Sequence, residues 1–450
     1  MVQPNSVSHN SLMRALLWTK KIDVPTIKQM RTSKVTARNQ LPHHFAEARV
    51  PALYYGAGSL SALPEIMNDL GVAGPVLLVT GNSAFEPHGF GPRLVSLLEE
   101  HGARVFSRRV HGEPSPRLVD QVVAEAQEAF GGEPGAVVAV GGGSVIDTAK
   151  AASAGFRHAG SIKEYLEGVG SKKPSGSRVP LVAASTTAGT GSEGTKNAVL
   201  SEVGPEGYKK SLRHDAFVPD AAILDPELHR SAPASVTAAS GLDAITQLLE
   251  AYVSVKATPF TDVFCEMGLT QAAWAYPRVL SDPEDLEARG SMAMAAYLSG
   301  LSLATAGLGL VHGAASPLGA ARDIPHGVVC GTLIGEVSRR SVSFLFGAKS
   351  GDQGPGVVSA AEGADLERGK HKYANAGRLL TGHYDASEEE AAGALVAWLG
   401  DITELSAVSR LGEYGFTREE LESLAAKCGD KNQPVSFDSD ATAAVLQERF

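Results

Sequence analysis

Ala136-Val-Val-Ala-Val140-Gly141-Gly142-Gly143-Ser144-Val145-Ile-Asp147-Thr-Ala-Lys150 is the most informative segment of the chain. Its first five residues form an unbroken apolar run, the pattern of a strand buried on both faces in a parallel sheet. Glycines and a serine then interrupt it, and Val145 opens a helical pattern. A strand that passes through a glycine turn into a helix leaves unpaired N–H groups and partial positive charge at the helix start, which suits a pyrophosphate. The other reading is a tight turn that binds nothing. The carboxyl end of a buried parallel strand favours the ligand, because open α/β sheets bind there. The spacing is not GxGxxG, so the usual dinucleotide fingerprint is absent.

The same alternation extends outward. Pro75-Val-Leu-Leu-Val-Thr80, Val179-Pro-Leu-Val-Ala-Ala184 and Ala221-Ala-Ile-Leu224 read as further buried strands. Amphipathic stretches at 92–100 and 117–130 read as the helices between them, giving βαβ units and a doubly wound sheet. A polar loop, Ser185-Thr-Thr-Ala-Gly-Thr-Gly-Ser-Glu193, follows the strand at 179–184, with hydroxyls and amides suited to ribose or phosphate, or simply to capping a turn. From about residue 231 the periodicity turns helical. The expected organisation is therefore a basic extension at 1–45, a dinucleotide-binding α/β domain at 46–230 and a helical metal- and substrate-binding domain at 231–450. The Gly/Ser-rich segment from Gly347 to Gly363 is expected to be an exposed loop.

Length and composition agree with this division. A chain of 450 residues is long for one core, and 43% hydrophobic with 20% charged residues is globular. A formal net charge of −10 offers no broad attraction for nucleic acid or anionic membrane. No apolar run is long enough to span a bilayer. Three scattered cysteines suggest a reducing compartment rather than a disulfide framework. The expected location is cytoplasmic. The basic first 45 residues leave organelle import open, the alternative being a partly ordered extension.

The helical half carries polar residues out of keeping with a plain core. In Gly241-Leu-Asp243-Ala-Ile-Thr-Gln247-Leu-Leu-Glu250-Ala-Tyr252, Asp243 and Gln247 stand one helical turn apart on one face. His312 and His326 follow in Gly309-Leu-Val-His312 and Ile324-Pro-His326-Gly327. A carboxylate, two imidazoles and an amide oxygen suit Fe(II), Zn(II), Mn(II) or Co(II). Singly, each residue reads equally as a core or turn-capping group.

Together these segments resemble the iron-containing (group III) alcohol dehydrogenase family from about residue 50 to the carboxyl terminus. The matching pieces are 141–150, 186–193, 223–228, 241–247, His312 with 317–319, and 325–327. The resemblance implies a dehydroquinate synthase-like fold: an amino-terminal α/β dinucleotide domain, an all-α carboxyl-terminal domain, and cofactor and metal in the cleft between them. It implies a homo-oligomer, most simply a dimer, and a metal held by one Asp and three His. Asp243, His312 and His326 match three of those positions, and Gln247 stands where the family has His; its neutral amide is a weaker donor than imidazole, so binding of Fe(II) or Zn(II) is expected to be weakened, altered in ion preference or lost. Ser316 stands where many relatives have a His near the substrate, so a proton relay would run through Ser316, water or the ribose. Asp243, His312, His326 and Ser316 are thus the expected catalytic residues.

Around the cofactor the expectation is Gly81, Asn82, Ser83, Gly141, Gly142, Gly143, Ser144, Asp147, Thr186, Thr187, Thr190, Ser192 and Lys209. NAD-preferring relatives have an Asp where the first strand ends. Here Gly81 removes its repulsion, and Asn82 or Ser83 offers donors to a 2′-phosphate, so NADP(H) is favoured over NAD(H). Asn197, Leu303 and Lys196 fall where relatives line the substrate pocket. Lys196 and Arg213 suit an anionic aldehyde, or else are surface or cofactor-phosphate charges. The implied activity is metal-assisted hydride transfer between nicotinamide and a small alcohol or aldehyde. The alternatives are a metal-independent oxo-acid reductase like maleylacetate reductase and a catalytically silent dinucleotide-binding protein.

Overall fold

The computed structural model describes residues 49–450 apart from 73, 82–89, 205–206, 348–356, 361–363 and 430–431. The basic extension, Asn82 and Ser83 therefore lie outside the described residues.

Six parallel strands form the central sheet: β1 (Ala52–Tyr55), β2 (Val76–Gly81), β3 (Val105–Val110), β4 (Ala136–Gly141), β5 (Leu181–Ser185) and β8 (Ala221–Leu224), in the order β1-β8-β5-β4-β2-β3. β4 is buried along its whole length, as its run of Val and Ala requires. The helices between strands are α1 (Leu63–Asp69), α2 (Phe90–Glu100), α3 (Pro116–Phe130) and α4 (Gly143–Gly155). α3 shows local chemistry agreeing with fold: Ser115 caps it by accepting from Leu118 N (3.2 Å), Pro116 fills its first turn, and Gly131 closes it at φ 74°.

The chain runs from β2 outward to β3 and then returns to place β4 on β2's other side, so the direction of winding reverses between β2 and β4. Such a switch point opens a crevice at the strands' carboxyl ends. Register brings the ends together: Thr80 faces Val140, and Gly141 faces Ser185. A hairpin, β6 (Asn197–Glu202) and β7 (Tyr208–Arg213), follows the second polar loop and was not legible as strands.

Beyond the sheet come α5 (Ala234–Val253), α6 (Pro259–Ser281), α7 (Leu286–Ala306), α8 (Leu310–Ala321), α9 (His326–Leu345), α10 (Ala364–Thr381), α11 (Glu388–Leu405), α12 (Arg418–Ala425) and α13 (Ser439–Glu448). They share one apolar core centred on α5, which is buried from Gly241 to Val253. One expectation is corrected here. Within the 347–363 segment, Val357–Ala360 is strand β9, antiparallel to β10 (Val435–Phe437). Backbone pairing with a distant strand overrides the local loop signal. No single helix among the described residues is long and apolar enough to cross a membrane.

Candidate active site

The glycine loop behaves as its sequence demands. Gly142 caps α4 with no side chain of its own (φ −75°, ψ −175°), leaving the first-turn N–H groups of α4 without a side-chain acceptor. A Cβ on Gly142 would lie 3.2 Å from Thr187 Oγ1, and one on Gly143 would lie 2.8 Å from Thr190 Oγ1. The two polar loops thus stand face to face at the switch point, and glycine lets them approach this closely. Gly81, at the end of β2, abuts the same place: a Cβ there would meet Val145 at 3.5 Å.

Beneath the loops lies a buried polar knot. Lys150, on α4, is fully buried and donates to Ser192 O (2.9 Å), Ser192 Oγ (3.1 Å), Thr195 Oγ1 (3.1 Å) and Asn197 O (2.6 Å). Ser192 Oγ donates to Asp147 Oδ1 (2.5 Å), whose other oxygen accepts from Val199 N (3.0 Å). The Asp147 and Ser192 side chains are therefore engaged in bracing one loop against the other. Burial pulls the Lys150 ammonium down to about 8, with Asp147 and Glu193 opposing. The same burial lifts Asp147, and it lifts Glu193 to about 7.

The helical half brings three of the four expected metal residues together: Asp243, His312 and His326. On α9, Cβ atoms at Gly327 and Gly331 would lie 2.4 Å from Ala239 O and 2.6 Å from Leu242 Cδ1. Only glycines at these two positions let α9 lie this close against α5. That approach sets His326 Nε2 3.7 Å from Asp243 Oδ1. From α8, His312 Nε2 comes to 3.4 Å from the same oxygen. Cys330, one turn after His326 and fully buried, puts its Sγ 3.6 Å from His312 Nε2 and 3.8 Å from His326 Nε2. All four ligand atoms lie within 4.8 Å of one another.

The cluster crowds a buried carboxylate, two imidazoles and a thiol together. Asp243 is 1% exposed, and no donor reaches its Oδ1 with hydrogen-bond geometry. Burial opposes its charge, but His326 and His312 beside it hold the carboxyl below the usual range. Burial drives the His326 imidazolium down to about 4, so this ring is a neutral donor of its lone pair. His312 moves the other way: burial is outweighed by Cys330, Asp243 and Glu250 around it. Burial pushes the Cys330 thiol up to about 12. The donor set of carboxylate, imidazoles and thiol fits a divalent transition metal.

Gln247 shares the Asp243 face of α5, as the helical spacing requires, and is buried. Its amide nitrogen donates to Gly189 O (3.1 Å), tying α5 to the loop after β5.

His312 also lines an open cleft of about 890 Å³. Asn197, Leu303, Lys196, Lys209 and Ser316 line it too, so the expected substrate residues are brought together. Lys209, expected at the cofactor, sits in this wall and pairs with Glu113 (3.0 Å). Lys210, Arg213, Lys256 and Lys427 add to the lining, and no carboxylate among the described residues does. Arg213 Nε donates to Asn197 Oδ1 (2.9 Å), and Lys196 pairs with Asp215 (2.7 Å).

Sequence reasoning missed Cys330, Glu250 and the full extent of the cationic wall. For the first two a signal existed: Cys330 is four residues after His326, and Glu250 lies two helical turns after Asp243. The wall had none, because its lysines come from segments far apart in the chain.

Comparison with known proteins agrees with this architecture. Residues 51–226 match the model of iron-containing alcohol dehydrogenases, and residues 237–449 match that of the carboxyl-terminal domain of the Fe-containing alcohol dehydrogenase family. A choline dehydrogenase of Bacillus subtilis is 34% identical over 373 residues, 82% of this chain and 85% of that one. An NAD-dependent methanol dehydrogenase of Bacillus methanolicus is 35% identical, covering 62% of this chain and 71% of its own. The structure of an iron-containing alcohol dehydrogenase from Thermococcus thioreducens superposes with a TM-score of 0.74 at 25% identity, covering 90% of this chain and 99% of that one.

Proposed function

The chain belongs to the iron-containing alcohol dehydrogenase family, an oxidoreductase acting on CH–OH groups, and from that premise we propose that it is an NADP(H)-dependent reductase of small anionic aldehydes. Asp243 Oδ1 carries the metal part of this reading: a buried carboxylate oxygen facing two imidazole nitrogens, with no donor of its own. Asp243, His312 and His326 would hold a divalent ion. Bound there, it would polarise the substrate oxygen.

The chain's own groups account for the rest. N–H groups at the start of α4 would hold the pyrophosphate beside the close contact of Gly142 with Thr187. β2 ends on Gly81, which presents no carboxylate to repel a 2′-phosphate, and this supports NADP(H). Ser316, one turn along α8 from His312, has a hydroxyl able to pass a proton between substrate oxygen and water in the cleft.

The cleft wall supports the substrate class. Among the described residues its lining holds six Lys and Arg side chains and no carboxylate; Lys196, Lys209 and Arg213 are ion-paired, so Lys210, Lys256 and Lys427 are the charges that would attract an anion and repel a cation. Choline is a quaternary ammonium, so the substrate in the Bacillus subtilis relative's name does not suit this cleft. The same wall would serve a metal-independent oxo-acid reductase. What favours the metal reading over that one is the unpaired carboxylate oxygen of Asp243.

The protein, purified with its metal retained, is to be assayed with NADPH and NADH against neutral and anionic aldehydes. The expected result is about one ion per chain, faster turnover with NADPH, and higher kcat/KM for the anions. Reduction that survives complete removal of metal points to the oxo-acid reductase. Cofactor binding without turnover across the panel points to a silent dinucleotide-binding protein.

A further inference from the structure

We propose that the thiolate of Cys330, and not the amide of Gln247, is the fourth protein ligand, so that the centre is a thiolate site selective for zinc-like ions. The inference rests on the metal reading above and adds to it which atoms bind and which ions they prefer.

Distances carry the first part. For metal–ligand bonds of about 2.0–2.3 Å, the edges of a tetrahedron around the ion are about 3.3–3.8 Å. Asp243 Oδ1 to His312 Nε2 is 3.4 Å and to His326 Nε2 is 3.7 Å. Cys330 Sγ to the same two nitrogens is 3.6 and 3.8 Å. Four edges of the cluster thus have the length that a tetrahedral ion imposes. Cys330 is not an isolated cysteine near the site: its sulfur closes a figure whose other corners are two imidazole nitrogens and an oxygen lacking any donor.

Position and chemistry carry the second part. Cys330 is held on the His326 face of α9 by the same Gly327 and Gly331 contacts that bring α9 onto α5. Gln247 donates through its nitrogen to Gly189 O, which leaves only its amide oxygen to offer an ion. A neutral amide oxygen is a weak donor to transition metals, whereas thiolate is a strong, soft one. On binding, the thiol loses its proton to solvent and a metal–sulfur bond forms, with no change of oxidation state. One carboxylate and one thiolate then balance the two charges of the ion. Asp243 with neutral ligands alone would leave one positive charge. The chain therefore favours Zn(II) and Co(II) over Mn(II) and Mg(II), and holds its ion tightly while pulling less strongly on the substrate oxygen.

X-ray absorption at the zinc edge of the full-length, zinc-loaded protein tests this without any variant. One sulfur per ion at about 2.3 Å is expected. A shell of nitrogen and oxygen only overturns the inference and leaves the metal reading intact, while failure to bind any ion overturns both. In the cobalt-loaded protein, a thiolate-to-cobalt charge-transfer band is expected in the near ultraviolet. Cys330→Ser should abolish it and weaken cobalt binding by more than about 10-fold, since even outer partners of a ligand are worth about 10–100-fold. The double variant Cys265→Ala/Cys428→Ala should keep the band. A band that persists in Cys330→Ser overturns the assignment.

Discussion

Glu250 Oε2 lies 2.6 Å from His312 Nδ1, while its other oxygen accepts from Val311 N at 2.7 Å. A carboxylate only accepts, so Nδ1 carries a proton, and Nε2, the nitrogen facing Asp243 and Cys330, is the one a metal ion would take in place of a proton. One helix, α5, thus supplies both a candidate ligand, Asp243, and the group that orients another. Glu250→Gln exchanges an obligate acceptor for an amide able to donate, and releases the tautomer. The expected cost is about 10–100-fold in metal affinity with the fold intact. Competition with a fluorescent chelator measures it, and unchanged affinity would remove Glu250 from the site.

At the phosphate loop the critical dimension is the close approach of Gly142 to Thr187. A Cβ on Gly142 falls 3.2 Å from Thr187 Oγ1, so a branched side chain would push the two loops apart at the helix start assigned to the pyrophosphate. Gly142→Val should raise the NADPH dissociation constant by at least about 10-fold, a loss of about 1.4 kcal/mol. Metal content should not change. Equal NADPH affinity in fluorescence titrations of the two proteins would mean that the loop is only a turn.

These two regions differ in how far the residues alone disclosed them. β4, its glycines and α4 were legible because strand burial, loop chemistry and helix start are all local. Asp243 and Gln247 were legible as a pair for the same reason, through helical spacing. Cys330 was passed over because a buried cysteine is ordinarily packing, and its meaning comes only from α9 lying on α5 through Gly327 and Gly331. Strand β9 was hidden because its partner, β10, is remote in sequence. The tie from Gln247 to Gly189 spans from α5 to a loop in the sheet half, and no periodicity encodes such a contact.

Lys150 illustrates a residue whose role is architectural although it stands in the phosphate-loop motif. Its ammonium is sealed from water and satisfied by oxygens from the second loop and β6. Lys150→Met preserves length but leaves Asp147 and Glu193 buried near no cation. Breaking a buried charge network in this way costs about 3–5 kcal/mol. A clear drop in the urea unfolding midpoint is expected, and a midpoint within error of the parent would show that the knot is not stabilising.

The cleft wall makes a kinetic prediction. Lys256 and Lys210 line it without an ion-pair partner among the described residues. Lys210→Ala/Lys256→Ala should raise KM for anionic aldehydes several-fold and leave KM for neutral ones nearly unchanged. Added salt should narrow the difference in the parent protein, because exposed charges are screened. Equal effects on both substrate classes would argue that the lysines serve the surface alone.

Glu193 gives the stability a pH signature whose direction can be worked out. The side chain is 1% exposed, and burial raises its pKa from 4.5 to about 7 against the field of Lys150. Between these values the unfolded chain has lost the proton and the folded chain keeps it. The unfolded state then binds fewer protons, so stability falls as pH rises through this window and is level again above about 7. The interval from 4.5 to about 7 corresponds to about 3 kcal/mol at full extent. Glu193→Gln has no proton to lose and escapes this decline. Relative to the parent, the variant should therefore gain roughly that amount between pH 4.5 and pH 8, read as the difference in urea unfolding free energies at the two pH values. A variant that instead loses ground toward pH 8 would show that Glu193 is ionised in the folded protein and stabilised by Lys150, which reverses the sign of the argument.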